Sequence, residues 1–334
     1  MAAPRRRPPE PAANATGLAT GAPRVPSDPT LDELLAGLRA SPKHVEPRFF
    51  YDAAGSQLFD RICRLPEYYP TRTETAILHA NLQAIVDAIG ERALLVEPGS
   101  GSSAKTRLLL DAMPTLSGYV PVDISREHLL QAVRQLAGAY PGLEILPVCA
   151  DFMAPFALPR PRRRSPSRVV VFFPGSTIGN LERAAAVRLL GSLRDLAGPR
   201  SGLLIGVDLI KAPAVIESAY NDDAGVTALF NLNLLAHLNR AYGADFDLER
   251  FRHRAFWDAD HERIEMQLVN AAPQTVHLGG ETLRFAAGEA LRTEYCHKYS
   301  VAGFGALARR AGWRSVDVWT DPDRLFSVHY LAGD

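Results

Sequence analysis

The sequence is poor in cysteine, has no excess of either charge and contains no long apolar run. Its three cysteines, Cys63, Cys149 and Cys296, are far apart, so neither a disulfide framework nor a paired metal-ligand motif is indicated. The odd count favours a reducing compartment, and we expect a cytoplasmic protein. Basic and acidic residues number 37 each, which gives no support for bulk attraction to nucleic acid or to a membrane. No apolar segment approaches the roughly 18 residues of a transmembrane helix.

The first 27 residues are rich in proline, alanine and arginine. They lack the continuous apolar segment of a secretory signal peptide. A chain of this composition cannot bury enough surface to offset its conformational entropy, so residues 1–27 are predicted to be a disordered tail. The arginine content and the lack of early acidic residues leave a transit peptide as the alternative.

Apolar strands and amphipathic helices alternate through the middle of the chain, after a predicted helix from about Thr73 to Ile89. This alternation predicts an α/β fold, a doubly wound parallel sheet with helices on both faces. Beyond Leu209 the pattern becomes helical and then alternates in period two, with a hairpin turn at Gly279-Gly280, which predicts a smaller α+β insertion. The predicted strands of the main sheet are ALLVEP, GYVPVDIS, LEILPVCADF, RVVVFFPGSTIGN, GLLIGVDL, SVDVWTD and FSVHYLA.

A glycine turn follows the first predicted strand, in the segment LLVEPGSGSSAKTRLLLDAM. In a doubly wound sheet, ligands bind at the carboxyl ends of the strands, where the strand order reverses. Glycines let a ligand approach the backbone, and the N-terminus of the next helix favours an anionic group. The dinucleotide fingerprint G-x-G-x-x-G is incomplete, because Ala104 occupies its sixth position. The turn residues predicted to contact the ligand are Glu97, Gly99, Ser100 and Gly101.

Acidic residues stand at the next two predicted strand ends. Asp123 lies roughly 20 residues beyond the turn, where a carboxylate can bind ribose hydroxyls. Asp151 can accept a hydrogen bond from an adenine amino group, and Phe152 can cover the ring. With a small carboxylate paired to Lys105, these groups fit S-adenosylmethionine, which has no pyrophosphate. The alternative is that both acids only cap the helices that follow them.

The fourth strand ends in the polar segment FFPGSTIGNLERAAA, where a second substrate would face the methyl group. The segment contains Gly175, Thr177 and Asn180. A loop that caps the next helix at Asn180 is the alternative, and the spacing does not separate the two. No metal site is predicted, because His253 and His261 have no matched ligand partners nearby in the sequence.

Six long segments resemble the histidine-specific Nα-methyltransferases of ergothioneine biosynthesis, from about Leu31 to the end of the chain. That family joins a Rossmann-like class I methyltransferase domain to a smaller substrate domain. Its members use three molecules of S-adenosylmethionine to convert L-histidine to its betaine, hercynine. The segments are YDAAGSQLFDRICRLPEYYPTRTE, LVEPGSGSSAKTRLLL, FFPGSTIGNL, YNDDAGVTALFNLNLLAHLNRAYGADFD, FRHRAFWDADHERIEM and VWTDPDRLFSVHYL.

The resemblance implies a histidine-binding site. Tyr68 and Asn180 would bind the carboxylate, above a loop shaped by Gly175 and Thr177. Glu294 would bind the imidazole together with the residue two positions later. The family usually has Glu-x-Ser there, whereas this chain has Glu294-Tyr295-Cys296, and a thiol is a weaker hydrogen-bond partner than a hydroxyl.

The same resemblance places Tyr51 and Tyr220 at the amino group as the catalytic residues, with Phe230 and Met266 as apolar walls. A tyrosine has a pKa near 10 and is a poor base at neutral pH, so we expect both to orient the amine while water takes the proton. Aromatic faces also suit the quaternary ammonium that repeated methylation forms.

Two domains follow from these observations, both beginning after the tail at 1–27. The methyltransferase domain is predicted to comprise residues 60–209 and 290–334, and the substrate domain residues 28–59 and 210–289. We expect a monomer that binds L-histidine and neither nucleic acid nor membrane. Two alternatives remain open, an enzyme of the same fold for another amino acid or amine, such as tryptophan, and a non-catalytic S-adenosylmethionine-binding protein.

Overall fold

The computed structural model describes residues 29–101 and 104–333, so the predicted tail at 1–27 lies outside the described residues. The helices in these ranges are α1 (Pro29–Arg39), α2 (Ala53–Ile62), α3 (Tyr69–Ala80), α4 (Leu82–Ile89), α5 (Ala104–Ala112), α6 (Arg126–Ala139), α7 (Arg183–Ala197), α8 (Pro213–Tyr220), α9 (Val226–Tyr242) and α10 (Val301–Arg310). Short 3₁₀-helices cover Pro47–Phe50, Thr177–Asn180 and Leu248–Arg250.

The strands form a seven-stranded sheet, a three-stranded sheet and a two-stranded hairpin. Their bounds are β1 (Ala93–Pro98), β2 (Gly118–Asp123), β3 (Val148–Cys149), β4 (Arg168–Phe173), β5 (Gly202–Asp208), β6 (Phe251–Asp258), β7 (Arg263–Asn270), β8 (Gln274–Leu278), β9 (Glu281–Phe285), β10 (Ala290–His297), β11 (Trp313–Thr320) and β12 (Phe326–Gly333).

The seven-stranded sheet has the order β11-β12-β5-β4-β1-β2-β3. Strands β1 to β5 are parallel, whereas β12 is antiparallel to both β5 and β11. The chain runs from β1 outward to β3 and then crosses to β4 on the other side of β1, so the strand order reverses at β1. The predicted Rossmann-like class I methyltransferase sheet is confirmed, and its ligand-binding edge lies at the carboxyl ends of these strands.

Helices cover both faces of this sheet, and the side chains of β4 show the division. Val170 and Phe172 pack against one layer, which includes residues of α3, α4 and α5. Val171 and Phe173 pack against the opposite layer, which includes residues of α7 and α10. Successive side chains of a strand point to opposite faces, so a strand buried on both faces is apolar throughout.

A second core unites α1, α2, α8 and α9 with the three-stranded sheet β10-β7-β6 and the β8–β9 hairpin. The predicted turn at Gly279-Gly280 is confirmed, and both glycines have positive φ. The sequence predicts that residues 290–334 belong to the methyltransferase domain. Strand β10, however, pairs with β7 in this smaller sheet, so the chain returns to the large sheet only after His297.

Three element predictions need correction. The helix expected from Thr73 to Ile89 is two helices, because the Asn81 side chain donates to the Ile77 carbonyl at 2.8 Å and its backbone leaves the helical conformation. The third strand is only two residues long, since β3 pairs with β2 at two positions. Strands β6 and β10 were not predicted, although they pair with the two sides of β7.

We expect that no side chain fits at Gly206 of β5 without displacing its neighbours. A Cβ there would lie 1.9 Å from Oε1 of Glu74, which is 1% exposed. Gly206→Ala should lower the free energy of unfolding by about 1–3 kcal/mol, as overpacked cores do. Gly191→Ala in α7, where the added Cβ meets nothing within 4 Å, is the control and should raise it by about 0.4–1 kcal/mol. Equal effects in urea denaturation would contradict this interpretation.

Candidate active site

The glycine turn between β1 and α5 forms the floor of a ligand-binding edge. Gly99 and Gly101 have φ values of 69° and 40°, a region that favours glycine. The Gly99 amide donates to the Val122 carbonyl at 2.8 Å, which ties the turn to the end of β2. A Cβ on Gly99 would lie 3.6 Å from the Phe152 ring, so the turn and this ring are neighbours. Ser100 is buried within the turn.

The two predicted adenosine-binding acids lie at neighbouring strand ends. Asp123 Oδ1 accepts a hydrogen bond from the Ser125 amide at 2.8 Å, and Asp151 Oδ1 accepts from the Met153 amide at 2.8 Å. Each carboxylate therefore closes a local turn through one oxygen. The N-cap of α6 is Ser125, so Asp123 does not cap that helix, and both carboxylates are only half-buried. The residues around the turn thus fit the adenosine end of S-adenosylmethionine.

Glu97 lies beneath the turn and not in the open cleft. It is 3% exposed, and its Oε2 accepts hydrogen bonds from the Thr106 hydroxyl at 2.6 Å and the Tyr119 hydroxyl at 2.5 Å. Burial raises the pKa of Glu97 to about 7, against the lowering effect of these two hydrogen bonds. The side chain holds α5 against β1 and β2, so its contribution to the turn is indirect.

Lys105 has a protein partner that the sequence did not reveal. Its ammonium group forms an ion pair with the buried carboxylate of Glu74. The same carboxylate accepts a hydrogen bond from the Gly175 amide at 2.9 Å. The predicted contact of Lys105 with the carboxylate of the cofactor stays a prediction, and any such contact would share the ammonium group with Glu74. Glu74 therefore connects the helix after the glycine turn to the loop after β4.

The loop after β4 carries Asn180 at the end of a 3₁₀-helix. Asn180 is half-buried, and no other described residue hydrogen-bonds its side chain. The N-cap of α7 is Glu182, so the alternative in which Asn180 caps that helix is wrong. Gly179 lies against β10, where an added Cβ would be 2.7 Å from the His297 carbonyl oxygen and 3.4 Å from Cys296 Sγ. Asn180 therefore lies beside the strand that carries Glu294.

An aromatic wall forms the next side of the site. Neighbouring rings lie with their centroids 5.9–6.4 Å apart, mostly edge to face. Phe59 of α2 lies within about 6 Å of two of them and was not singled out from the sequence, although it stands in one of the family-like segments. Met266, on β7, is buried in the same core. The members of the wall are Tyr51, Phe59, Tyr68, Tyr220 and Phe230.

The three tyrosines of this wall remain protonated at neutral pH. Burial raises the pKa values of Tyr68 and Tyr220 well above 10. Desolvation, followed by the negative charge of Glu294, raises the pKa of Tyr51 as well. A phenol with so high a pKa does not act as a base, so these hydroxyls can orient a ligand but do not take its proton.

Glu294 projects from β10 next to an irregularity in the strand. It pairs with Met266 of β7, and the register shifts between Arg292 and Glu294, as at a β-bulge. Bulges re-aim side chains and are common beside active sites. Burial raises the pKa of Glu294 to about 7, and the nearby Lys298 opposes that rise. Within the described part of the chain, no group hydrogen-bonds the Glu294 carboxylate.

A buried ionic cluster behind the tyrosines was missed by the sequence analysis. Asp208, at the end of β5, accepts hydrogen bonds from Tyr69, Lys211 and Lys298. Two ammonium groups lower the pKa of Asp208 despite its burial. Lys298 also donates to Tyr220 and to the buried Cys296. Asp208 and Lys298 are far apart in the chain, so no local sequence pattern indicates this cluster.

The two histidines considered as metal ligands have other partners in the structure. No group of three or more His, Cys, Asp or Glu side chains in residues 29–101 and 104–333 could hold a metal ion. His253 instead contacts Asn231 and the Tyr220 carbonyl, and His261 pairs with Asp258. In the same ranges, no helix is both long and apolar enough to cross a membrane.

The sheet order, with its reversal at β1, is that of a class I methyltransferase. Residues 30–333 match the family model for S-adenosylmethionine-dependent, histidine-specific methyltransferases, and the chain belongs to that family.

Three known relatives are similar to this chain over most of their own length. The chain is 46% identical over 302 residues to the histidine N-alpha-methyltransferase of Mycolicibacterium smegmatis, covering 89% of this chain and 92% of that protein. It is 42% identical over 306 residues to the enzyme of the same name from Mycobacterium tuberculosis, covering 90% and 94%. It is 27% identical over 309 residues to a 4-dimethylallyltryptophan N-methyltransferase of Aspergillus fumigatus, covering 87% and 90%.

The raised pKa of Glu97 predicts a pH-dependent stability difference. The folded state binds this proton more tightly than the unfolded state, so wild-type stability falls as pH rises from about 4.5 to about 7. Glu97→Gln keeps an oxygen acceptor for Thr106 and Tyr119 but cannot ionise. The variant should therefore gain up to about 3 kcal/mol relative to wild type over that interval, with no further change above it. Denaturant melts from pH 5 to pH 8 test this, and a pH-independent difference would contradict it.

Proposed function

We propose that this protein transfers three methyl groups from S-adenosylmethionine to the α-amino group of L-histidine and forms hercynine, a step of ergothioneine biosynthesis. The observation that carries this proposal is a pair of neighbouring polar side chains with no hydrogen-bond partner among residues 29–101 and 104–333. Asn180 and Glu294 lie on adjacent elements beside the aromatic wall. An amino acid with a carboxylate at one end and an imidazole at the other would satisfy both.

The cofactor would lie across the ends of β1, β2 and β3. Asp123 would bind the ribose, while Asp151 and Phe152 would hold the adenine. The turn at Gly99 to Gly101 lets the ligand approach the backbone at the N-terminus of α5, where negative charge is favoured. Because Lys105 is paired with Glu74, it would assist the cofactor carboxylate only while sharing that partner.

Histidine would lie between the loop after β4 and strand β10. Asn180 and Tyr68 would bind its carboxylate, and Gly175 and Thr177 would shape the loop beneath. Glu294 and Cys296 would bind the imidazole, with Phe230 and Met266 as apolar contacts. Tyr51 and Tyr220 would orient the amine. This division uses both cores of the protein, since the loop belongs to the large sheet and β10 to the small one.

The proposed reaction mainly requires that the amine nitrogen and the methyl group be held together in the right geometry. S-adenosylmethionine supplies an electrophilic methyl group on a sulfonium. The nitrogen lone pair attacks that carbon in line, the C–N bond forms as the C–S bond breaks, and the amine loses a proton to water before each transfer. Holding the two atoms together can contribute roughly 7–11 kcal/mol to the rate. The tyrosines remain protonated, so their part is to orient the amine and surround the growing cation with aromatic faces.

We also propose that the protein acts as a monomer in the cytoplasm and binds neither nucleic acid nor membrane. The three cysteines are free, which suits a reducing compartment. The balanced numbers of acidic and basic residues argue against a polyanionic partner.

The direct test is product analysis. Purified protein is incubated with S-adenosylmethionine and a mixture of amino acids that includes tryptophan, and the products are identified by mass spectrometry. We expect histidine alone to gain three methyl groups in place of three hydrogens. Methylation of another amino acid would support the alternative substrate class. No methylated product over a broad panel of amines would favour a non-catalytic binding protein.

Glu294→Ala should weaken the recognition of histidine more than that of apolar amino acids. A hydrogen bond to a charged group contributes about 1.5–3 kcal/mol, so kcat/KM for histidine should fall about 10–100-fold. Glu281→Ala is the control, because Glu281 makes only an exposed ion pair with Arg39. Steady-state kinetics with histidine, together with the inhibition of that reaction by leucine and phenylalanine, measure the effect on all three amino acids. Equal losses for all three would show that Glu294 does not recognise the ring.

A further inference from the structure

Lys298 follows β10 directly and is fully buried. Its ammonium group donates to Asp208 Oδ2 at 2.6 Å, to the Tyr220 hydroxyl at 3.1 Å and to Cys296 Sγ at 3.1 Å. A lysine ammonium has three N–H donors, and these contacts use all of them. Lys298 therefore has no donor left for a ligand, yet two of its three partners are pocket residues.

The cluster around Asp208 holds two ammonium groups and one carboxylate. Lys211 lies 2.5 Å from Asp208 and from the Tyr69 hydroxyl, and burial lowers the pKa of Lys211 to about 8. Burial also opposes the charge of Lys298, but Asp208 raises the pKa of Lys298 well above its usual range.

We propose that Lys298 is a positioning residue for methyl transfer, which fixes the Tyr220 hydroxyl and the Cys296 thiol in the substrate pocket while Asp208 anchors its ammonium group. This inference rests on the proposed function, because it assigns a role in the same site. A positioning role for Lys298 and a purely structural role predict different effects on turnover. Lys298 must affect turnover through Tyr220 and Cys296, whereas Lys211, which is bound to the same carboxylate, must not.

The hydrogen-bond directions explain the effect. The Lys298 N–H occupies a lone pair of the Tyr220 oxygen, so the phenolic proton points away from Lys298. The sulfur of Cys296 likewise accepts from Lys298, and its S–H points away from the ammonium group. With the sulfur engaged as an acceptor, the S–H of Cys296 is the group left to face a ligand, at the position of the serine usual in the family. Lys298 thus limits the cost of the cysteine at this position.

The first experiment compares Lys298→Met with Lys211→Met. Either substitution leaves one ammonium opposite Asp208, so the buried charge is balanced in both variants. Lys298→Met should lower kcat/KM for histidine about 10–100-fold, the effect of a lost charge-assisted hydrogen bond, without changing the S-adenosylmethionine affinity measured by calorimetry. Lys211→Met should keep the wild-type kcat/KM. Equal kcat/KM values for the two variants would overturn the inference.

A double-mutant cycle tests the route of the effect. If Lys298 acts through Tyr220, Lys298→Met should cost much less in a Tyr220→Phe background than in wild type. Fully additive losses would overturn the inference. If Lys298→Met does not melt cooperatively, Lys298→Gln and Lys211→Gln replace the methionine pair. The shorter amide cannot reach all three partners, so Lys298→Gln must again lose more kcat/KM than its control, and equal values would overturn the inference.

Wild-type activity distinguishes the two hypotheses. A wild-type protein that forms no methylated histidine would contradict the proposed function and, with it, a role of Lys298 in that reaction. An active wild type with equal Lys298 and Lys211 variants would contradict only the role of Lys298.

Discussion

The Glu74 carboxylate holds together the elements that meet at the cleft. It is almost completely buried, pairs with Lys105 of α5 and accepts the amide of Gly175 after β4. A buried charge that lost its partners would cost several kcal/mol, so these contacts are kept together or lost together. The glycine turn and the loop that carries Asn180 are thereby fixed relative to each other. A donor bound at one and an acceptor bound at the other would meet in a defined geometry.

Much of the large sheet could be predicted because its strands are locally distinctive. Strands β1 and β5 are apolar along nearly their whole length, as strands buried on both faces are. The break at Asn81 was missed because the helical periodicity of the sequence continues through it. The interruption comes from the Asn81 side chain, which donates a hydrogen bond to the Ile77 carbonyl. Strand β6 was missed because its mixed pattern becomes clear only when it pairs with β7.

In the candidate site, too, some residues could be predicted from the sequence and others could not. The glycine turn and Asp123 follow from their positions at strand ends, and the histidine-binding set came from the resemblance to a family. The ion pairs Glu74–Lys105 and Asp208–Lys298 join residues far apart in the chain, and no local pattern marks such pairs. They are properties of the folded chain. The spacing of residues in the sequence therefore could not show that Glu74 engages Lys105 or that Lys298 contacts Tyr220.

Gly179 has a consequence for substrate size. Its missing side chain lets the loop after β4 touch the backbone of β10, with no space left between them. The interval between Asn180 and Glu294 is therefore set by main-chain contact and not by flexible side chains. In the proposed histidine site, such a fixed backbone interval would favour an amino acid whose length matches the distance between Asn180 and Glu294.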